Sequence, residues 1–149
     1  MKEKILVSAC LMGRPTRYDA KSVLYDGISA LYEKYDIIEV CPEVLGGLPT
    51  PRTPSERVGD TVIMRDGRDV TAEFHLGAKV AYETCLQHNI KKAVLKEKSP
   101  SCGSGKIYDG TFSGSLCDGY GVCAEYLIER GISVYGESRI SELIGEKEE

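Results

Sequence analysis

The chain has 149 residues, 42% of them hydrophobic and 28% charged, an ordinary composition for one globular domain spanning 1–149. That excludes a disordered tail, a fibrous repeat and a multi-span membrane protein. Nineteen basic and twenty-three acidic residues leave a net charge of −4, which fits small anionic ligands held by a few arginines and not duplex nucleic acid.

Lys4 to Ala9 is a short apolar run that reads as a buried strand entering a loop at Cys10-Leu11-Met12-Gly13. Lys2 and Lys4 ahead of Val7-Ser8-Ala9-Cys10 imitate a lipoprotein signal, but the apolar stretch is about five residues where a secretory signal needs roughly 7–15. We therefore expect no signal, no membrane span and a cytoplasmic location. From Asp26 to Tyr35, the residues Ile28, Leu31, Tyr32 and Tyr35 follow helical spacing. Asp36 to Val40 is a second strand, stopped by Cys41-Pro42-Glu43. A loop rich in proline and glycine follows from Gly46 to Pro54, with Arg52 inside it.

Val58 to Val70 has the pattern of a hairpin, with Thr61–Met64 returning through Asp66-Gly67. Thr71 is expected to cap a helix running to about Asn89, its apolar face formed by Phe74, Ala78, Ala81, Tyr82 and Cys85. Lys92 to Lys96 is a third buried strand leading into Ser99-Pro100-Ser101-Cys102-Gly103, and a glycine-rich loop spans Ser104 to Gly121. A helix from Gly121 to about Arg130 ends at Gly131, a good helix stop. Ile132 to Tyr135 is a fourth strand, and Ser141 to Gly145 a short tail.

Short apolar strands alternating with helices predict an α/β three-layer sandwich around a mostly parallel, doubly wound (Rossmann-like) sheet. Ligands of such sheets bind beyond the carboxyl ends of the strands. Cys10, Cys41 and Cys102 each follow a predicted strand by a few residues, so all three should open onto the same edge.

In a reducing compartment six cysteines are not a disulfide framework. Cys85 falls on a helix face and reads as a small buried hydrophobe, as does Cys123, while Cys117 in its loop is assigned neither way. The three strand-end cysteines lie among glycine, proline and charged residues, which favours metal ligation or redox or nucleophilic chemistry. The paired spacing and four protein ligands of structural zinc are absent, and an all-thiolate set suits soft metals and iron–sulfur clusters. Spacing alone also leaves open a non-enzymatic metal-binding or sulfur-carrier protein using three thiolates. His75 and His88 sit on the predicted helix as surface residues. Gly103-Ser104-Gly105-Lys106 fails the ATP-binding pattern, because Pro100 stands where the first glycine belongs and Ile107 follows the lysine.

Three strings occur in order, each with its own cysteine: Ser8-Ala9-Cys10-Leu11 with Arg17-Tyr18-Asp19; Cys41-Pro42-Glu43 with Gly46-Gly47-Leu48-Pro49-Thr50-Pro51-Arg52; and Lys98-Ser99-Pro100-Ser101-Cys102-Gly103. Together with Tyr108-Asp109-Gly110-Thr111-Phe112 they make the chain resemble the thiouracil desulfidases over nearly its whole length. The resemblance implies a [4Fe-4S] cluster held by three cysteine ligands, Cys10, Cys41 and Cys102, with one open iron. It also implies removal of sulfur from a small thiolated pyrimidine base or nucleotide such as 4-thiouridine monophosphate. Longer relatives with an additional domain act on thiolated transfer RNA, so this short, acidic chain is expected to take a small substrate.

The chemistry assigns roles to neighbours of the thiols. Hydrolytic replacement of sulfur needs proton transfer, and Glu43, two residues past Cys41, is expected to act as general base for water and later as proton donor. Ser101 is expected to orient substrate or water by hydrogen bonding, with Ser99 as second candidate. Arg17 and Arg52 are expected to bind a phosphate or a pyrimidine oxygen, whereas Arg14 reads as a solvated loop charge.

Overall fold

The computed structural model of the protein describes residues 2–12 and 27–144. In chain order these form β1 (Glu3–Ser8), α1 (Ile28–Lys34), β2 (Tyr35–Val40), α2 (Pro42–Leu45), β3 (Ser55–Val58), β4 (Thr61–Met64) and α3 (Thr71–His88). Then follow β5 (Lys92–Leu95), β6 (Ser104–Tyr108), β7 (Leu116–Tyr120), α4 (Val122–Glu129), β8 (Ser133–Gly136) and α5 (Ser141–Ile144).

Four strands make a parallel sheet in the order β2-β1-β5-β8. Strand alternation sends side chains to both faces, and both are covered. Ile5, Val7 and Val94 pack with Ile28, Leu31, Ile140 and Leu143 beneath α1 and α5. Leu6, Ala93 and Leu95 pack with Phe74, Ala78, Ala81, Cys85, Cys123 and Leu127 beneath α3 and α4. The result is the expected three-layer α/β sandwich.

The helices follow their apolar spacing: Phe74, Ala78, Ala81 and Cys85 are buried along α3. Asn89 ends that helix in the left-handed conformation, φ 55°. Thr71 does not cap it. Its hydroxyl instead accepts from Val62 N–H at 2.9 Å, and Thr71 N–H donates to Asp69 Oδ1 at 2.9 Å. β4 pairs antiparallel with β3, upstream of it, and the expected return through Asp66-Gly67 also forms, with Met64 N–H donating to Arg68 O at 2.8 Å and Val70 N–H to Val62 O at 2.9 Å around an isolated Ile63–Asp69 bridge. Gly59, at φ 59°, permits the tight Val58-to-Thr61 connection that makes the upstream pairing possible.

The glycine-rich stretch read as a loop is a second hairpin, β6 with β7, in the register Ser104 to Tyr120 through Tyr108 to Leu116. The tail from Ser141 is helical, and Leu143 is buried under the sheet.

Candidate active site

Strand order changes direction between β1 and β5, so their carboxyl ends form the switch point where such sheets bind ligands. A cavity of about 480 Å³ lies there, lined by Cys10, Cys41, Cys102, Glu43, Arg52, Ser99 and Ser101 among others. The three strand-end cysteines, 31 and 61 residues apart in the chain, thus share one space. Arg14 and Arg17 lie outside the described residues.

Each cysteine is seated by a different local device. Cys10 sits in a single 3-10 turn, Ala9–Leu11, directly off the central strand β1. Cys41 has extended backbone at the start of α2, where Pro42 takes the first helical position that needs no N–H partner. Cys102 lies in a turn knotted onto α4. Ser99 Oγ accepts from the Ser101 and Cys102 N–H groups at 3.0 Å each, and Ser99 O accepts from Gly103 N–H at 2.9 Å. The first amides of α4, which have no partner within the helix, donate to Pro100 O and Ser101 O at 2.8–3.0 Å. This approach requires Gly121, whose absent Cβ would stand 2.3 Å from the Ser101 carbonyl carbon.

The electrostatics tie the group together. Burial pushes the Cys102 thiol up to about 12, a shift that Ser8 opposes by donating its hydroxyl to Sγ at 3.5 Å. The negative charges of Cys41, Cys10 and Glu43 push the same thiol further up. As a free thiol Cys102 is therefore a poor nucleophile at neutral pH. Among the described residues no three His, Cys, Asp or Glu side chains converge in the manner of a single metal-ion site. The three thiols share the lining of the one cavity.

Glu43 is raised above the ordinary carboxylate range by burial, with Arg52 restraining the shift through its charge and a hydrogen bond. Arg52 Nε donates to Glu43 Oε1 at 2.8 Å, and its Nη1 donates to Pro49 O and Thr50 Oγ1 at 3.0 Å each. Arg52 is thus in the cavity wall but directed at Glu43 and its own loop. Ser99 is occupied in the turn described above. Ser101 Oγ is buried, lines the cavity and has no hydrogen-bond partner, the state of a group that meets a bound molecule.

Several lining residues were not singled out from the sequence, among them Ser8, Glu56, Lys96 and Phe112. Ser8 faces inward at the end of β1 and bonds both Cys102 Sγ and Lys96 N–H. The other cysteines take no part in the cavity wall: Cys85 and Cys123 are core residues, and Cys117 is exposed on β7.

The doubly wound sheet, with three thiols around the space at its switch point, defines an α/β protein with a cysteine-lined cavity at its ligand-binding edge. A family model described as 2-thiouracil desulfurase matches residues 5–139, and the chain belongs to that family. It is 37% identical over 150 residues to an uncharacterized protein, YbbK, of Bacillus subtilis (strain 168), covering 94% of this chain and 99% of that one. Among solved structures it is similar to a [4Fe-4S]-dependent thiouracil desulfidase, TudS, with 49% identity, a TM-score of 0.90 and 95% of each chain covered. No helix among the described residues is long and apolar enough to cross a membrane.

Proposed function

We propose that the protein is a [4Fe-4S]-dependent desulfidase that removes sulfur from thiolated uracil compounds, namely 2- or 4-thiouracil or 4-thiouridine monophosphate, giving the oxo product and sulfide. The observation that carries this reading is the shared cavity of Cys10, Cys41 and Cys102 at the sheet's switch point. An all-thiolate donor set suits an iron–sulfur cluster, and the unpartnered Ser101 oxygen beside it suits a bound substrate. The three cysteines would hold the cluster and leave one of its four irons open. When bound, the cluster supplies a Lewis acid with affinity for the soft sulfur of a thiocarbonyl.

The chain's own residues handle water and protons. Glu43 accepts the proton of the attacking water, and burial has moved its carboxyl toward the range in which a general base works best. Arg52 fixes the direction of that carboxylate. Ser101 Oγ offers a hydrogen bond to the pyrimidine or to the water. Water adds to the ring carbon, Glu43 passes its first proton to the sulfur, and as the carbon–sulfur bond breaks Glu43 takes the remaining hydroxyl proton and delivers it to the departing hydrosulfide. The sum is thiocarbonyl and water to carbonyl and hydrogen sulfide, so no external electron donor is needed.

The test is anaerobic assay of reconstituted protein with 4-thiouracil and 4-thiouridine monophosphate, following both sulfide and the oxo product. Many turnovers per chain support the enzyme, whereas consumption of a single equivalent would indicate a sulfur carrier. Cys10→Ser, Cys41→Ser and Cys102→Ser should each lose iron, while Glu43→Gln should keep it and abolish turnover. Substantial activity in Glu43→Gln would exclude the proposed base.

A further inference from the structure

We propose that Phe112 is the face on which the substrate's heterocycle stacks, and that Glu56 is the positioning residue that holds it there. This rests on the desulfidase reading of the cavity. The connection between β6 and β7 reaches the mouth of the cavity, where Phe112 lines the wall together with Tyr108 and Gly114. Phe112 adopts the left-handed backbone conformation, φ 56°, which is unfavourable for a bulky side chain. Core burial does not explain this strain, because the ring is only half-buried. Strain of this kind collects at ligand clamps, where the surroundings over-determine the conformation.

The surroundings do so here. Glu56 is 9% exposed, and its Oε1 accepts from Gly110 N–H at 2.8 Å and Phe112 N–H at 3.1 Å. A carboxylate removed from water needs such partners, and both of these fix the backbone around one aromatic ring. Gly110 stands at φ 97°, with Val58 Cγ2 2.1 Å from where a Cβ would be, so that only glycine fits there. The Arg65 guanidinium packs against the Phe112 ring at 5.5 Å from its centroid, and it also lines the cavity. A rigid aromatic surface in the same cavity as the thiols is suited to a flat pyrimidine, which stacks on it without needing directional hydrogen bonds.

The experiment uses the cluster-loaded protein under anaerobic conditions. KM and kcat are measured with 4-thiouridine monophosphate, and Kd by calorimetry with unreactive uridine monophosphate. Phe112→Ala should raise KM and Kd about tenfold or more, as loss of a base–aromatic stack does, with kcat within about threefold. Phe112→Tyr should restore wild-type values, and Glu56→Gln should raise KM and Kd by a smaller factor. Iron content should be unchanged throughout. Wild-type KM and Kd in an iron-replete Phe112→Ala protein would overturn the proposal. Should the alanine variant lose iron, Phe112→Leu decides: raised constants support an aromatic contact, and unchanged ones overturn it. A wild-type protein that binds uridine monophosphate without turning over the thio compound would defeat the desulfidase reading alone, and the Kd series would still judge Phe112.

Discussion

A Cβ added to Gly77 would stand 1.8 Å from the carbonyl oxygen of Pro42, so α2 lies on α3 backbone to backbone. Gly46 makes the reciprocal approach: a Cβ added there would stand 1.9 Å from Glu73 O. The α2 turn carries Cys41 and Glu43, and its seat therefore depends on two missing methyl groups. Gly77→Ala gains about 1 kcal/mol of helix propensity. The clash is with backbone, which cannot swing aside, and overpacking of this kind costs roughly 1–3 kcal/mol or more. We expect a melting temperature lowered by several degrees and iron content reduced after anaerobic reconstitution, checked by thermal denaturation and iron assay.

Arg52→Ala should be more damaging to the fold than its loop position suggests. The arginine side chain is 3% exposed and the Glu43 side chain 15%, so removal of the cation strands a largely buried carboxylate. Breaking such a pair costs on the order of 3 kcal/mol, whereas removing both charges together costs less than the sum. Urea denaturation of Arg52→Ala, Glu43→Gln and the double variant measures that coupling.

Ser8→Ala leaves the Lys96 N–H without the acceptor it reaches at 2.9 Å. Ser8 is 2% exposed, so the amide it serves lies out of bulk water. The expected loss of stability is about 1–3 kcal/mol, read from the denaturation midpoint.

The six thiols should separate by reactivity. In the native apo-protein at pH 8, Cys117 is exposed and should be alkylated first. Burial holds the Cys85 thiol up to about 11 and the Cys123 thiol well above its ordinary value, so both should resist alkylation until denaturant is added. Cys85 also gives a pH dependence. Its proton is kept to about pH 11 in the fold but leaves near pH 9 in the unfolded chain, so stability should be level below 9 and fall between 9 and 11. Cys85→Ala should lessen that decline, leaving the part due to Cys102 and Cys123, as seen in denaturation midpoints measured across the range.

The parallel sheet and the convergence of the cysteines were legible in the sequence because both depend on patterns a linear chain displays. Ile5, Leu6 and Val7 form a run that is apolar on both faces, and Cys10 follows three residues after Val7. The β6–β7 hairpin was not legible. Its strands carry Ser104, Gly105, Lys106, Asp118 and Gly119, and Ile107 alone among its ten residues is buried, so no alternating apolar signal exists. Thr71 was misread because a hydroxyl before a helix is a common cap, and nothing local discloses that Val62 N–H competes for it. The Glu43–Arg52 pairing and the Glu56 clamp on residues 110 and 112 are likewise products of tertiary folding, with no spacing that announces them.

The sheet order also dictates when in a molecule's life its three thiols can come together. Cys10 and Cys41 are neighbours as soon as β2 docks beside β1, early in synthesis, but Cys102 emerges from the ribosome only after about two-thirds of the polypeptide has been made. It then has to wait for β5 to join the opposite side of β1 and for the amides of α4, later still, to fasten its turn. The shared space at the sheet edge is therefore complete only late in biogenesis, and a nascent or truncated chain brings together two of these thiols where the finished protein brings three.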